Sequence, residues 1–129
     1  MNNLKRILIA DDSSYERDYY KTLFRRLKLK DHIQIFDDGS GLISAIEKLN
    51  NPSDLIVITD YCMPTSGLQV VKCAVQHGVH DILVRSSSSR ERVTHEISEQ
   101  VTQNIDFASK LDGKSPVEQF LIKSGLDLH

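Results

Sequence analysis

Leu55-Ile56-Val57-Ile58-Thr59-Asp60 is the stretch that decides the fold. Its aliphatic residues run without polar alternation. A strand of that kind is buried on both faces and belongs at the centre of a sheet covered on two sides. It extends from Asp54 and ends on an aspartate. A second apolar run, Ile7-Leu8-Ile9-Ala10, ends on two more, Asp11 and Asp12, and reads as a buried strand from Lys5 to Asp12. If both runs are parallel strands, the three carboxylates meet at one edge of the sheet. Carboxylates that close oppose one another's ionisation unless a cation offsets the repulsion, and a divalent ion with oxygen ligands suits the purpose.

Outward from these two strands the chain alternates strand and helix. Ser13 is placed to cap a helix, with Glu16 three residues on to complete a capping box. Tyr20, Leu23, Phe24 and Leu27 then follow at helical spacing. His32 to Phe36 is a short strand, stopped by Asp37-Asp38-Gly39. Leu42, Ala45, Ile46 and Leu49 mark a second helix, broken by Asn50-Asn51-Pro52-Ser53. Pro64 to Gly67 is a loop. Leu68, Val71, Ala74 and Val75 mark a third helix, with Gly78 where a terminating glycine belongs.

Asp81 to Ser86 is a fourth strand. Arg90 to Gln103 is a fourth helix with a narrow apolar stripe, Val93, Ile97 and Val101, which predicts light packing and mobility. Ile105 to Lys110 is a fifth strand. Ser115-Pro116-Val117-Glu118 opens a fifth helix with Ser115 as cap, and Val117, Phe120 and Leu121 face the core. Strand–helix alternation of this kind implies a parallel sheet with helices on both faces and right-handed crossovers.

Composition sets the outer limits. The 129 residues suffice for one domain, 1–129, and not for two. A net charge of −2 supplies no bulk attraction for nucleic acid. No apolar stretch approaches the roughly 20 residues that span a bilayer, and Met1 to Arg6 lacks a signal-peptide core. Cys62 and Cys73 form no CxxC pair and read as reduced thiols of a cytoplasmic protein. The five histidines lack zinc-ligand spacing.

In an open parallel sheet, ligands bind beyond the carboxyl ends of the strands, where strand order reverses. Asp12, Asp60, Ser86 and Lys110 each fall at or near such an end. Carboxylates and a backbone carbonyl would hold Mg2+. A carboxylate can attack phosphorus to form an acyl phosphate. A hydroxyl and an ammonium would then hold the phosphoryl oxygens.

With these residues in order, the chain resembles the receiver domain of two-component response regulators. The resemblance is carried by Ile7-Leu8-Ile9-Ala10-Asp11-Asp12-Ser13, by Thr59-Asp60-Tyr61-Cys62-Met63-Pro64 with Gly67, by Ser86-Ser87, and by Phe107-Ala108-Ser109-Lys110. It implies a flavodoxin-like (βα)5 fold, five parallel strands in the order 2-1-3-4-5. It makes Asp60 the phosphoacceptor. Asp11, Asp12, Asp60 and the backbone carbonyl of Cys62 become the ligands of Mg2+ or another divalent ion such as Mn2+. Ser86 becomes the switch hydroxyl, Phe107 the aromatic that moves with it, and Lys110 the partner of the phosphoryl group.

The implied partners are a sensor histidine kinase or histidine phosphotransfer protein and a downstream protein target. The switching face is the fourth helix, fifth strand and fifth helix, through which a homodimer would also form. The implied protein is a phosphoacceptor rather than an enzyme, either stand-alone or part of a longer chain. The resemblance also assigns Cys62 and Ser88 to the path of hydrolytic water, although neither side chain is specialised to hold it.

The chain departs from the family in three places. Leu111 replaces the proline that commonly follows the lysine in cis; without proline a cis bond costs about 2.5–4 kcal/mol, so a trans path is expected. The third helix and its loop are short. Arg85 precedes the switch serine where an apolar residue is usual, which leaves open a frame with Ser87 as the hydroxyl. A frame with Arg85 in place of the lysine is rejected, because it would leave the fifth helix without a strand. Lys21, Arg25, Arg26, Lys28 and Lys30 make the first helix basic, first of all a solvated face and otherwise a docking surface for an acidic kinase or phosphotransfer domain. A phosphorylation-independent adaptor with a receiver fold is the competing function. A phosphatase or flavin-binding reading lacks support, because the chain has no second aspartate two residues beyond Asp60 and no glycine-rich loop after the first strand.

Overall fold

Five parallel strands form one sheet in the order β2-β1-β3-β4-β5. They are β1 (Arg6–Ala10), β2 (Ile33–Phe36), β3 (Leu55–Asp60), β4 (Asp81–Ser86) and β5 (Asp106–Ser109). The helices are α1 (Ser14–Arg26), α2 (Gly39–Glu47), α3 (Gly67–Gln76), α4 (Arg90–Gln100) and α5 (Ser115–Lys123). This is a computed structural model, and it describes residues 5–49, 54–113 and 115–126. The expected break at Asn50 to Ser53 lies outside the described residues, as does Met1 to Leu4.

Alternation along the strands sends successive side chains to opposite faces and so builds two cores. On one face Ile7, Ile9, Ile56, Ile58 and Leu83 meet Tyr20, Leu23 and Phe24 of α1 and Val117, Phe120 and Leu121 of α5. On the other, Leu8, Val57, Ile82 and Val84 meet Leu42 and Ile46 of α2, Val70, Val71 and Ala74 of α3, and Val93 and Ile97 of α4. Every residue of β3 is buried, as its unbroken apolar run requires.

Several ends differ from the sequence expectation. Glu16 does not complete the capping box. Ser13 Oγ accepts the Glu16 N–H at 3.3 Å, but the Glu16 carboxylate turns inward to Arg85. The Ser13 N–H goes instead to Asp11 Oδ1, at 2.9 Å. A reciprocal capping box forms elsewhere, between Ser66 and Gln69 at the start of α3. The fourth helix stops at Gln100, and Val101 is already extended, with φ −139° and ψ 131°. Its side chain is still buried, so the apolar stripe outlasts the helix. The fifth strand is Asp106–Ser109, and Lys110 opens a short 3-10 turn. Ser115 is the first residue of α5 rather than its cap. His32 belongs to a 3-10 turn ahead of β2.

Three helices end alike. The N–H groups of Leu29, Val79 and Leu126 reach back to the carbonyls of Phe24, Ala74 and Leu121. The preceding residue must then take a left-handed φ, which glycine adopts without strain. Gly78 and Gly125 fill that place in two helices, but after α1 it is Lys28, at φ 60°. No peptide among the described residues is cis, so the chain passes from Lys110 to Leu111 in trans, as Leu111 led us to expect.

Candidate functional site

The carboxyl ends of β1 and β3 bring Asp11, Asp12 and Asp60 together, each offering a carboxylate oxygen within 4.8 Å of the others. Asp11 and Asp60 are buried, while Asp12 is exposed. Lys110 enters from the turn after β5. Its Nζ lies 3.0 Å from Asp11 Oδ2 and 3.2 Å from Asp60 Oδ1. The departure at Leu111 therefore does not displace the lysine.

Local hydrogen bonds hold the acidic loop. Asp11 donates its N–H to the Phe36 carbonyl at 3.1 Å. Its own carbonyl accepts Nη1 of Arg17 at 3.0 Å. On the β3 side, the Tyr61 N–H donates to the Arg85 carbonyl at 3.1 Å and the Gly67 N–H to the Tyr61 carbonyl at 2.8 Å. Gly67 packs so close that a Cβ there would lie 2.4 Å from the Asp60 carbonyl oxygen, so a larger residue would push the loop after β3 out of place.

The electrostatics would favour a cation. Burial, followed by the neighbouring Asp11 carboxylate, pushes the Asp60 carboxyl up to about 6, with Lys110 opposing. Burial also disfavours the Lys110 ammonium, but Asp11 and Asp60 outweigh it and raise its pKa. One ammonium cannot balance three carboxylates. The donors are all hard oxygens, so the set fits Mg2+ or a similar ion rather than a soft metal.

The remaining expected residues lie on α1, β4 and β5 and in the loops after β3 and β4. Ser86 ends β4 and is fully buried, its Oγ accepting the Ser88 N–H at 3.0 Å, whereas Ser87 is exposed. Cys62 is exposed, with Sγ 3.8 Å from Ser88 Oγ, so the two positions assigned to the water path do meet. Phe107 is half-buried on β5, under the guanidinium of Arg90 at 5.5 Å from the ring centroid. On basic α1, Arg26 pairs with Glu118 at 2.8 Å, and Lys21, Arg25 and Lys28 are exposed.

Two features of the site escaped the sequence. The Tyr61 hydroxyl, one residue beyond Asp60, donates to the Glu96 carboxylate on α4. Burial and that carboxylate push the Tyr61 hydroxyl up to about 12, so it stays a donor. The second feature is the place of Arg85, the unusual residue before Ser86. It is buried beneath α1 against Glu16 and Tyr20. Its signal was present: a basic residue at an inward position of an apolar strand, opposite a helix carrying a glutamate and a tyrosine four residues apart on its inner side.

No model of a protein family matches the chain, and no curated protein does. Solved structures do. One is the signal receiver domain of the putative response regulator NarL from Mycobacterium tuberculosis. It is 21% identical, with a TM-score of 0.67 over 93% of this chain and 95% of that one. A LuxR-family DNA-binding response regulator from Staphylococcus aureus is 19% identical, with a TM-score of 0.73 over 94% and 98%. The CheX-CheY-BeF3-Mg complex from Borrelia burgdorferi gives 16%, a TM-score of 0.70, and 95% and 90% coverage. The chain therefore has the flavodoxin-like fold of receiver domains, with its strand order 2-1-3-4-5.

Proposed function

We propose that the chain is a cytoplasmic two-component receiver in which Asp60 accepts a phosphoryl group. The observation that carries this is the acidic cluster itself: three carboxylates within 4.8 Å, met by the Lys110 ammonium at the carboxyl edge of a receiver fold. Asp60 attacks the phosphorus of a phosphohistidine on a sensor kinase or phosphotransfer protein, and the bond from phosphorus to the imidazole nitrogen breaks. Asp11, Asp12, Asp60 and the Cys62 carbonyl would hold Mg2+, which screens the anionic phosphoryl group from the attacking carboxylate. Lys110 neutralises the phosphoryl oxygens once they arrive, and Ser86 supplies the hydroxyl that turns toward them.

The output is a contact rather than a reaction. The added charge draws Ser86 inward, Phe107 follows, and α4, β5 and α5 present a changed face to a downstream protein or a second copy. Ser86 is favoured over Ser87 because it is buried at the end of β4. No helix among the described residues is long and apolar enough to cross a membrane.

Incubation with Mg2+ and a small acyl-phosphate donor, followed by intact mass, tests the proposal. The wild-type chain gains one phosphoryl group and Asp60→Asn gains none. A wild-type chain that stays unmodified overturns it in favour of the phosphorylation-independent adaptor. The place of Lys110 argues against that adaptor, whose sequence support was Leu111 and the short third helix.

A further inference from the structure

Arg85 is the bulkiest fully buried side chain among the described residues, and the chemistry proposed at Asp60 makes no use of it. It stands beside Asp60 in the register of β3 and β4. Lateral neighbours on parallel strands project to the same face, so its side chain runs under α1. There Nη1 donates to Glu16 Oε1 at 2.9 Å and to the Tyr20 hydroxyl at 2.8 Å. The guanidinium carbon lies 5.8 and 5.6 Å from the ring centroids of Tyr19 and Tyr20. Nε is buried without a hydrogen-bond partner. A buried charge left partly unsatisfied is a poor stabilising device, and an apolar residue of the same volume would serve the core as well or better.

Arg85 touches both halves of the acidic site. Its side chain holds Glu16, whose N–H is capped by Ser13, and the Ser13 N–H is held in turn by Asp11. Its main-chain carbonyl accepts the N–H of Tyr61, the residue after Asp60. We propose that Arg85 is a positioning residue for the cation site, clamping the first turn of α1 across β4 so that the loop bearing Asp11 and Asp12 is fixed opposite Asp60. The clamp also occupies the carboxylate of Glu16, which would otherwise be a further free negative charge on the turn next to Asp12. The inference rests on the receiver function proposed above, because it is that function which requires a cation there.

Mn2+ binding to the whole chain, followed by electron paramagnetic resonance, tests it beside urea unfolding of the same samples. Arg85→Met and Glu16→Gln should each weaken Mn2+ binding by about tenfold, the lower end for a residue that orients a ligand. The urea midpoint of the double variant, which leaves neither charge unpaired, should stay level or rise. The double variant should bind no more weakly than either single one, since both remove the same clamp. Mn2+ binding unchanged in the variants overturns the proposal and leaves the receiver function standing. So does a parallel fall of binding and midpoint in the double variant. If Arg85→Met alone fails to fold, the half-buried Glu16→Gln decides, and wild-type affinity in it is fatal. A wild-type chain that binds no Mn2+ overturns both the clamp and the cation-dependent function.

Discussion

Helix α1 and helix α4 lie on opposite faces of the sheet and are held in different ways. Helix α1 sets Tyr20, Leu23 and Phe24 into the core and is tied to β4 by the ion pair of Glu16 and Arg85. Helix α4 buries only Val93 and Ile97. Its other anchors are polar and peripheral, among them Tyr61 on Glu96, Lys72 on Gln100 and Arg90 over Phe107. A cavity of about 210 Å³ opens between it and β5, lined in part by Ile97 and Phe107. The contrast suits the proposed receiver function, in which the face next to Asp11 and Asp12 would keep cation ligands in place and the face next to Ser86 would move.

The comparison breaks most visibly under truncation. Phe24→Ala removes a fully buried ring from α1 and should cost roughly 3–5 kcal/mol. Ile97→Ala borders an existing hollow and should cost only about 2 kcal/mol. Urea unfolding measures both, and equal losses would erase the distinction.

Proton linkage gives the next largest effect. In the cation-free protein the Asp60 carboxyl titrates near 6, because burial and Asp11 disfavour its charge. The same group titrates near 3.9 in an unfolded chain, so between about pH 4 and 6 the folded state binds more protons and loses stability as the pH rises. Asp60→Asn should abolish that slope and be more stable than wild type at neutral pH, by urea midpoint. Divalent cation should restore wild-type stability without affecting Asp60→Asn to the same degree.

The fold was legible because it is written in period and punctuation. The buried runs at β1 and β3 and the three-and-four spacing in α1 to α3 do not depend on distant partners. Ends were less legible because they are settled by tertiary contacts. Glu16 has the sequence position of a capping-box residue, but Arg85, 69 residues away, claims its carboxylate. Helix α4 runs on in the sequence because Val101 keeps the four-residue spacing, although its backbone has already turned extended. The acidic cluster and Lys110 were legible from strand ends alone. The tie from Tyr61 to Glu96 was not, because it needs the distance between a loop and a helix that no local pattern encodes.

Two smaller experiments sharpen the contrast. Tyr61→Phe deletes a hydroxyl donor to the Glu96 carboxylate. It should speed amide exchange within α4 while leaving α1 unchanged, by hydrogen exchange with mass spectrometry. Lys28→Gly relieves a left-handed residue at the end of α1. It should raise the urea midpoint by a gain of about 0.5–1 kcal/mol, all of it on the side that is already firm.

The sheet narrows toward its rims. Its inner strands β1, β3 and β4 have five, six and six residues, whereas the flanking β2 and β5 have four. A short rim presents few free amides and carbonyls to a foreign strand, which guards the chain against open-ended stacking into fibres. Any copy that pairs across β5 must therefore be recognised through side chains, and a surface of that kind can be released as readily as it is made.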